Sequence, residues 1–143
     1  MNYDNEMTIS FTSSSINESF ARIAVAGFFM QLDPTLNEIS DIKISVSEAV
    51  TNAIIHGYDN LNYEIVKIFC AYKDNLVYIE VVDTGRGIDD IEKAMEPLYT
   101  TKEEEERSGM GFTVMETFMD TVVVESKKNE GTKIIMTKKI NSI

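Results

Sequence analysis

Apolar and polar positions recur along this chain with two different periods, and each change of period marks an element. Met7, Ile9 and Phe11 are separated by polar residues, the two-residue period of a half-buried strand. From Ser15 the period lengthens. Ser15 and Glu18 have the spacing of a capping box, and Phe20, Ile23, Ala24, Gly27, Phe28 and Met30 follow at helical intervals. A helix is therefore predicted over 16–31, broken by Asp33-Pro34. Thr35 and Glu38 repeat the capping-box spacing ahead of the longest helix, predicted over 36–55. Its stripe is Leu36, Ile39, Ile42, Val46, Ala49, Val50 and Ala53, and His56-Gly57 with Asp59-Asn60 end it. Strands over 63–72 and 76–83 follow, joined at Lys73-Asp74-Asn75. Beyond Asp83 the periodicity fails. Asp83-Thr84-Gly85-Arg86-Gly87 is loop, a short helix fits 89–95, and 96–109, with four glutamates from Glu103 to Glu106, reads as a mobile loop. A helix over 110–119 and strands over 121–126 and 132–140, turning at 127–131, complete the pattern.

Hairpin strands with helices grouped between them predict an α+β fold: a two-layer sandwich of one mixed, mostly antiparallel sheet with helices on one face. The 143 residues contain no repeat or Pro/Gly-rich linker and suit a single domain over 1–143.

Charge narrows the function. A formal net charge of -11 repels nucleic acid and anionic lipid, so neither is expected as a direct partner. A protein or a small molecule is expected instead, and an anionic ligand would need positive potential from backbone amides, a metal ion and a few basic side chains. Residues 1–10 lack a signal-peptide pattern, and no apolar run approaches the ~20 residues that span a bilayer. The single cysteine, Cys70, lies in the apolar run Ile68-Phe69-Cys70-Ala71 and reads as a core residue. A cytoplasmic protein is expected.

Three motifs carry candidate chemistry. On the long helix Glu48, Asn52 and His56 stand four residues apart, a polar stripe about 80° wide. The Asn52 amide oxygen is a hard ligand suited to Mg²⁺ and the Glu48 carboxylate can take a proton, although a solvated polar face has the same pattern. Asp83-Thr84-Gly85-Arg86-Gly87 follows a strand; Asp83 can accept from an exocyclic amine and the glycines admit close approach, as they would in a plain turn. Gly109-Met110-Gly111-Phe112 opens a helix, where unpaired N–H groups favour phosphate oxygens if a ligand is present. The preceding segment carries Thr100, Thr101, Lys102, Arg107 and Ser108, of which Lys102 and Arg107 can offset phosphate charge, while Glu103 to Glu106 read as solvated.

In this order and spacing the motifs resemble the N box and two G boxes of the GHKL ATPases, and specifically the anti-sigma serine kinases. Val46 to Tyr58 is similar to their N box, Arg107 to Phe112 to their second G box, Pro97 to Lys102 to the start of their lid, and Glu18 to Arg22 to their first helix. The four glutamates depart from the lid pattern. The resemblance implies an ATP-dependent protein serine kinase with Mg²⁺: Glu48 as general base, Asn52 on the metal, Asp83 on the adenine amine, Gly85 and Gly87 lining the adenine pocket, Gly109 and Gly111 on the phosphates, and Thr132 on the adenine side. It implies two protein partners, a sigma factor of RNA polymerase and an anti-anti-sigma protein substrate, with Arg22 as a contact and a homodimer as the assembly. His56, the only histidine, is assigned a structural or ligand-positioning role. The competing readings are a stand-alone histidine-kinase-type catalytic domain and an ATP-gated binding module without phosphotransfer.

Overall fold

The computed structural model describes residues 2–95 and 111–141. Strand β1 (Asn5–Thr12) leads into helix α1 (Asn17–Phe29), which closes on a 3₁₀ turn at Met30–Leu32. Helix α2 (Leu36–Asn52) runs on into a π-helical turn at Ala53–Gly57. Strands β2 (Ile65–Lys73) and β3 (Leu76–Asp83), the short α3 (Ile91–Ala94), α4 (Gly111–Phe118), β4 (Thr121–Lys127) and β5 (Gly131–Lys139) follow. The strands form one sheet in the order β1-β2-β3-β5-β4. Every pairing in it is antiparallel, so among the described residues the sheet carries none of the parallel pairing that a mixed sheet would have.

One sheet face is the core. Val66, Ile68 and Cys70 of β2, Val77, Ile79 and Val81 of β3, and Ile134 and Met136 of β5 alternate inward. They meet Phe29 of α1, Ile42, Val46 and Val50 of α2, and Met115 of α4. Cys70 is a core residue as expected, and burial pushes its thiol up to about 12, which keeps it protonated. No described helix is long and apolar enough to cross a membrane.

Three local expectations are corrected. The buried face of α1 is Ala21, Val25, Phe28 and Phe29, whereas Phe20 and Ile23 are 52% and 62% exposed. Apolar residues surround this helix, so periodicity alone does not select a face; packing against α2 favours the side bearing the small Ala21 and Val25. The exposed Leu36 likewise leaves the expected α2 stripe at its first residue. The Ser15–Glu18 capping box does not form. Ile16 holds the N-cap position without a side-chain cap, and the Asn17 and Glu18 amides bond the carbonyls of Ser14 and Ser15. The Glu18 carboxylate instead accepts from the Ser47 hydroxyl at 2.7 Å and pairs with Arg22 at 3.7 Å.

The Thr35–Glu38 box forms in full. The Glu38 amide donates to Thr35 Oγ1 at 3.1 Å, and the Thr35 amide donates to Glu38 Oε1 at 2.9 Å. Thr35→Ala is expected to cost about 1 kcal/mol in urea unfolding, and Ser15→Ala to stay within about 0.5 kcal/mol of the parent.

Candidate functional site

A cavity of about 310 Å³ opens where the core-facing row of the sheet runs out. Its walls are the end of α2 with the π turn, the loop after β3, the start of α4 and the β4–β5 turn. In the π turn the chain closes on a residue five back, the Tyr58 amide donating to the Ala53 carbonyl at 2.9 Å. The extra residue per turn re-aims the chain beyond Asn52, so His56 and Gly57 both reach the cavity wall.

At the α2–α4 end, Asn52 and Gly111 line the cavity. Glu48 adjoins it: a Cβ placed on Gly111 would stand 3.3 Å from Asn52 Nδ2 and 3.4 Å from Glu48 Oε2. The bare glycine thus lets α4 begin against the carboxylate and the carboxamide together. Asn52 Nδ2 is buried without a hydrogen-bond partner. A buried polar end with no partner costs free energy until a ligand meets it, and a half-turn of the carboxamide would offer Oδ1 instead. Among the described residues no cluster of three or more His, Cys, Asp or Glu could hold a metal by itself. A metal here would share Asn52 with oxygens of a ligand, the manner in which Mg²⁺ is commonly held, and the residues present fit that arrangement.

At the sheet end, Asp83 continues the inward row of Val77, Ile79 and Val81, and Thr132 continues that of Ile134 and Met136. The two are cross-strand partners, so they project from one face side by side, both buried. Burial pushes the Asp83 carboxyl up to about 6, opposed by hydrogen bonds from the amides of Gly85 and Thr132. Behind Thr132, Ser126 Oγ donates to the Gly131 carbonyl at 3.0 Å and meets Thr132 Oγ1 at 2.8 Å. With its single proton on Gly131, Ser126 takes the Thr132 proton, and Thr132 is left as an acceptor. The backbone around Asp83 has no clearance. A Cβ at Gly85 would lie 1.9 Å from the Gly57 carbonyl oxygen, and one at Gly131, held at φ +112°, would lie 2.1 Å from the Asp83 carbonyl oxygen.

Three successive amides of the loop after β3 already have partners. The Thr84 amide donates to the Tyr58 hydroxyl at 2.7 Å, that of Gly85 to Asp83 Oδ1 at 2.9 Å and that of Arg86 to the Gly57 carbonyl at 3.0 Å. Three consecutive N–H groups so committed do not form an anion nest. This loop therefore offers no amide cluster to an anion, while the Asp83 and Thr132 oxygens beside it can accept from a donor that enters the cavity.

Of the expected site residues, Asn52, Asp83, Gly87, Gly111, Phe112 and Thr132 share the cavity wall, with Glu48 and Gly85 behind it. Thr100, Thr101, Lys102, Arg107, Ser108, Gly109 and Met110 lie outside the described residues. Arg22 sits on α1, apart from the cavity lining, with Glu18 and Ser19. The sequence reading missed Arg86, whose Nε donates to the His56 carbonyl at 2.6 Å, and Lys128 and Asn129 on the β4–β5 turn, all of which line the cavity. It also missed Ser126 and Tyr58. The only sequence signal for the turn residues was their place between two paired strands next to Thr132.

The profile of the histidine kinase-like ATPase domain matches residues 18–138. A protein named anti-sigma F factor from Clostridium botulinum is 60% identical over 139 residues, 97% of each chain. Another of that name, from Thermoanaerobacter pseudethanolicus, is 59% identical over 142 residues, 99% of each. The chain belongs to the anti-sigma F factor family. This family is thus carried on the histidine kinase-like ATPase fold. The solved RsbU and RsbW domains of a Mycobacterium tuberculosis protein share that fold at a TM-score of 0.69 and 18% identity, over 95% of this chain and 32% of that longer one.

In this family member the Asp83 carboxyl is raised from 3.8 to about 6 in the folded state, so folding favours its protonated form. The contribution is present below about pH 4 and is lost as pH rises through 6. Asp83→Asn removes it. Urea unfolding should show the variant gaining on the parent by about 2–3 kcal/mol between pH 4 and 7.

Proposed function

We propose that this chain is an anti-sigma factor and an ATP-dependent protein serine kinase, which holds a sporulation sigma factor of the sigma F type inactive and phosphorylates its anti-anti-sigma protein on serine. The single observation that carries the reading is the two-ended cavity. Buried acceptors, Asp83 and Thr132, stand at one end, and Asn52 with Gly111 stands at the other beside Glu48. An adenine offers the amine that the first end accepts, and a triphosphate suits the second. The names of the relatives support the sigma-factor part.

Charge supports a metal ion. Among the described cavity residues the cations Arg86 and Lys128 face the carboxylates of Asp83, Asp89 and Asp90, too little positive potential for a polyphosphate. Mg²⁺ on Asn52 and the phosphate oxygens would supply charge neutralisation, and Lys102 and Arg107 would add to it. Glu48 then orients the substrate serine and takes its hydroxyl proton. The serine oxygen forms a bond to the γ-phosphorus as the bond to the β,γ-bridging oxygen breaks, and ADP departs. Gly111, at the start of α4, admits the phosphates without a clash and turns the helix's positive end toward them. Two copies per sigma factor, with Arg22 at the contact and exchange of partners biased by nucleotide state, complete the proposal.

Incubation with labelled ATP and a candidate anti-anti-sigma protein should give an acid-stable phosphoserine. Acid-labile label would point to phosphohistidine and to a histidine-kinase-type activity instead. Glu48→Gln should bind ATP as the parent does and slow transfer by roughly 10²–10⁴-fold; undiminished transfer would remove Glu48 from the role of base.

A further inference from the structure

We infer that Tyr58 is a positioning residue for base recognition: its hydroxyl fixes the Asp83–Thr84 peptide, and with it the direction in which the Asp83 carboxylate meets an exocyclic amine. The inference rests on the proposed binding of ATP at this cavity.

Tyr58 is buried, 4% exposed, and lies outside the cavity lining. It stands where three elements meet. Its amide belongs to the π turn through Ala53, and its hydroxyl donates to the carbonyl of Ile65, the first residue of β2, at 2.5 Å. That hydroxyl accepts from the Thr84 amide at 2.7 Å and lies 3.2 Å from Thr84 Oγ1. The phenol has one proton, committed to Ile65, so Thr84 donates both of its own contacts. The hydroxyl is therefore fully used, and all of its accepting capacity holds the residue next to Asp83.

Packing alone does not require this. A phenylalanine ring would fill nearly the same space, and it is the hydroxyl that makes the hydrogen bonds to Thr84. Removing the oxygen leaves the Thr84 amide without an acceptor in the protein interior, a cost relieved by rotating the peptide. That peptide leads directly into the Gly85 amide, which donates to Asp83 Oδ1 at 2.9 Å, so its rotation moves the donor that orients the carboxylate. The close fit of Gly57, Gly85 and Gly131 around Asp83 offers little room for compensation.

Equilibrium binding of two ligands separates a positioning role from a structural one: ATP, and purine riboside 5′-triphosphate, which lacks only the 6-amino group. The parent should prefer ATP. Tyr58→Phe should weaken ATP by about tenfold, the worth of roughly 1.4 kcal/mol, and leave the analogue within about threefold, so that the preference collapses. Equal weakening of both ligands, or a preserved preference, would overturn the inference and leave Tyr58 with packing alone. Asp83→Asn in the same assay tests the underlying reading. If the parent shows no preference and Asp83→Asn binds ATP unchanged, the base-recognition reading itself fails. Should Tyr58→Phe unfold, the measurement is made with trimethylamine N-oxide, which favours the compact state without touching the ratio of the two ligands.

Discussion

A carboxylate placed in the core-facing row of a β-strand is the constraint on which the rest of this site depends. Asp83 occupies a position whose predecessors on β3 are Val77, Ile79 and Val81, and its neighbour on β5 is Thr132. A charge there is costly unless something polar meets it. The fold supplies part of what is needed: the Gly85 and Thr132 amides, a backbone stripped of side chains at Gly57, Gly85 and Gly131, and a cavity left open where the hydrophobic row would otherwise close. Much of the sequence that reads as glycine-rich loop is explained by how closely three stretches of main chain approach this one side chain. They do not come together to bind phosphate. The amides that a glycine-rich loop might have offered to an anion are spent on Tyr58, Asp83 and Gly57.

Long elements with one strong period were legible in the chain. The five strands and the long helix α2 stand where the alternation and the 3.6-residue stripe put them, and the Thr35–Glu38 box starts α2 as its spacing requires. The same spacing at Ser15–Glu18 failed for a reason no local pattern carries, because a distant hydroxyl, Ser47, captures the Glu18 carboxylate. Helix α1 stands on the predicted residues, but of the apolar positions that predict it only Phe28 is buried. Nearly every side of it is apolar, and tertiary packing chose among faces that sequence leaves equal.

The site divides along similar lines. Glu48, Asn52, Asp83 and Gly111 were legible because each belongs to a motif with its own chemistry. Ser126 and Lys128 were not, and Tyr58 and Arg86, although inside such motifs, carried no role of their own there. Each reaches the cavity, or the residue behind it, only through a turn or a strand pairing between distant segments. The π turn is the clearest case. A stripe spaced by four residues assumes an α-helix to its end, and the structure changes period at Ala53, directly after the asparagine that faces the cavity.

The two ends of the cavity differ in how far their polar groups are already committed, and this bears on how the proposed partner exchange would operate. At the base end the loop amides and the Tyr58, Ser126 and Thr132 hydroxyls have partners before any ligand arrives. Such an end contributes affinity and selectivity with little rearrangement. At the proposed phosphate end Asn52 Nδ2 is buried without a partner, next to Gly111, the first residue of α4. ATP and ADP are alike at the first end and differ at the second. In the proposed reading a difference in free energy between the two nucleotides would enter the protein on the phosphate side, through Asn52, Glu48, Lys102 and Arg107, since a ligand shifts a conformational equilibrium only by its differential affinity for the states. A proposed switch of partners driven by nucleotide state would have its origin there, with the groups around Asp83 serving both nucleotides alike.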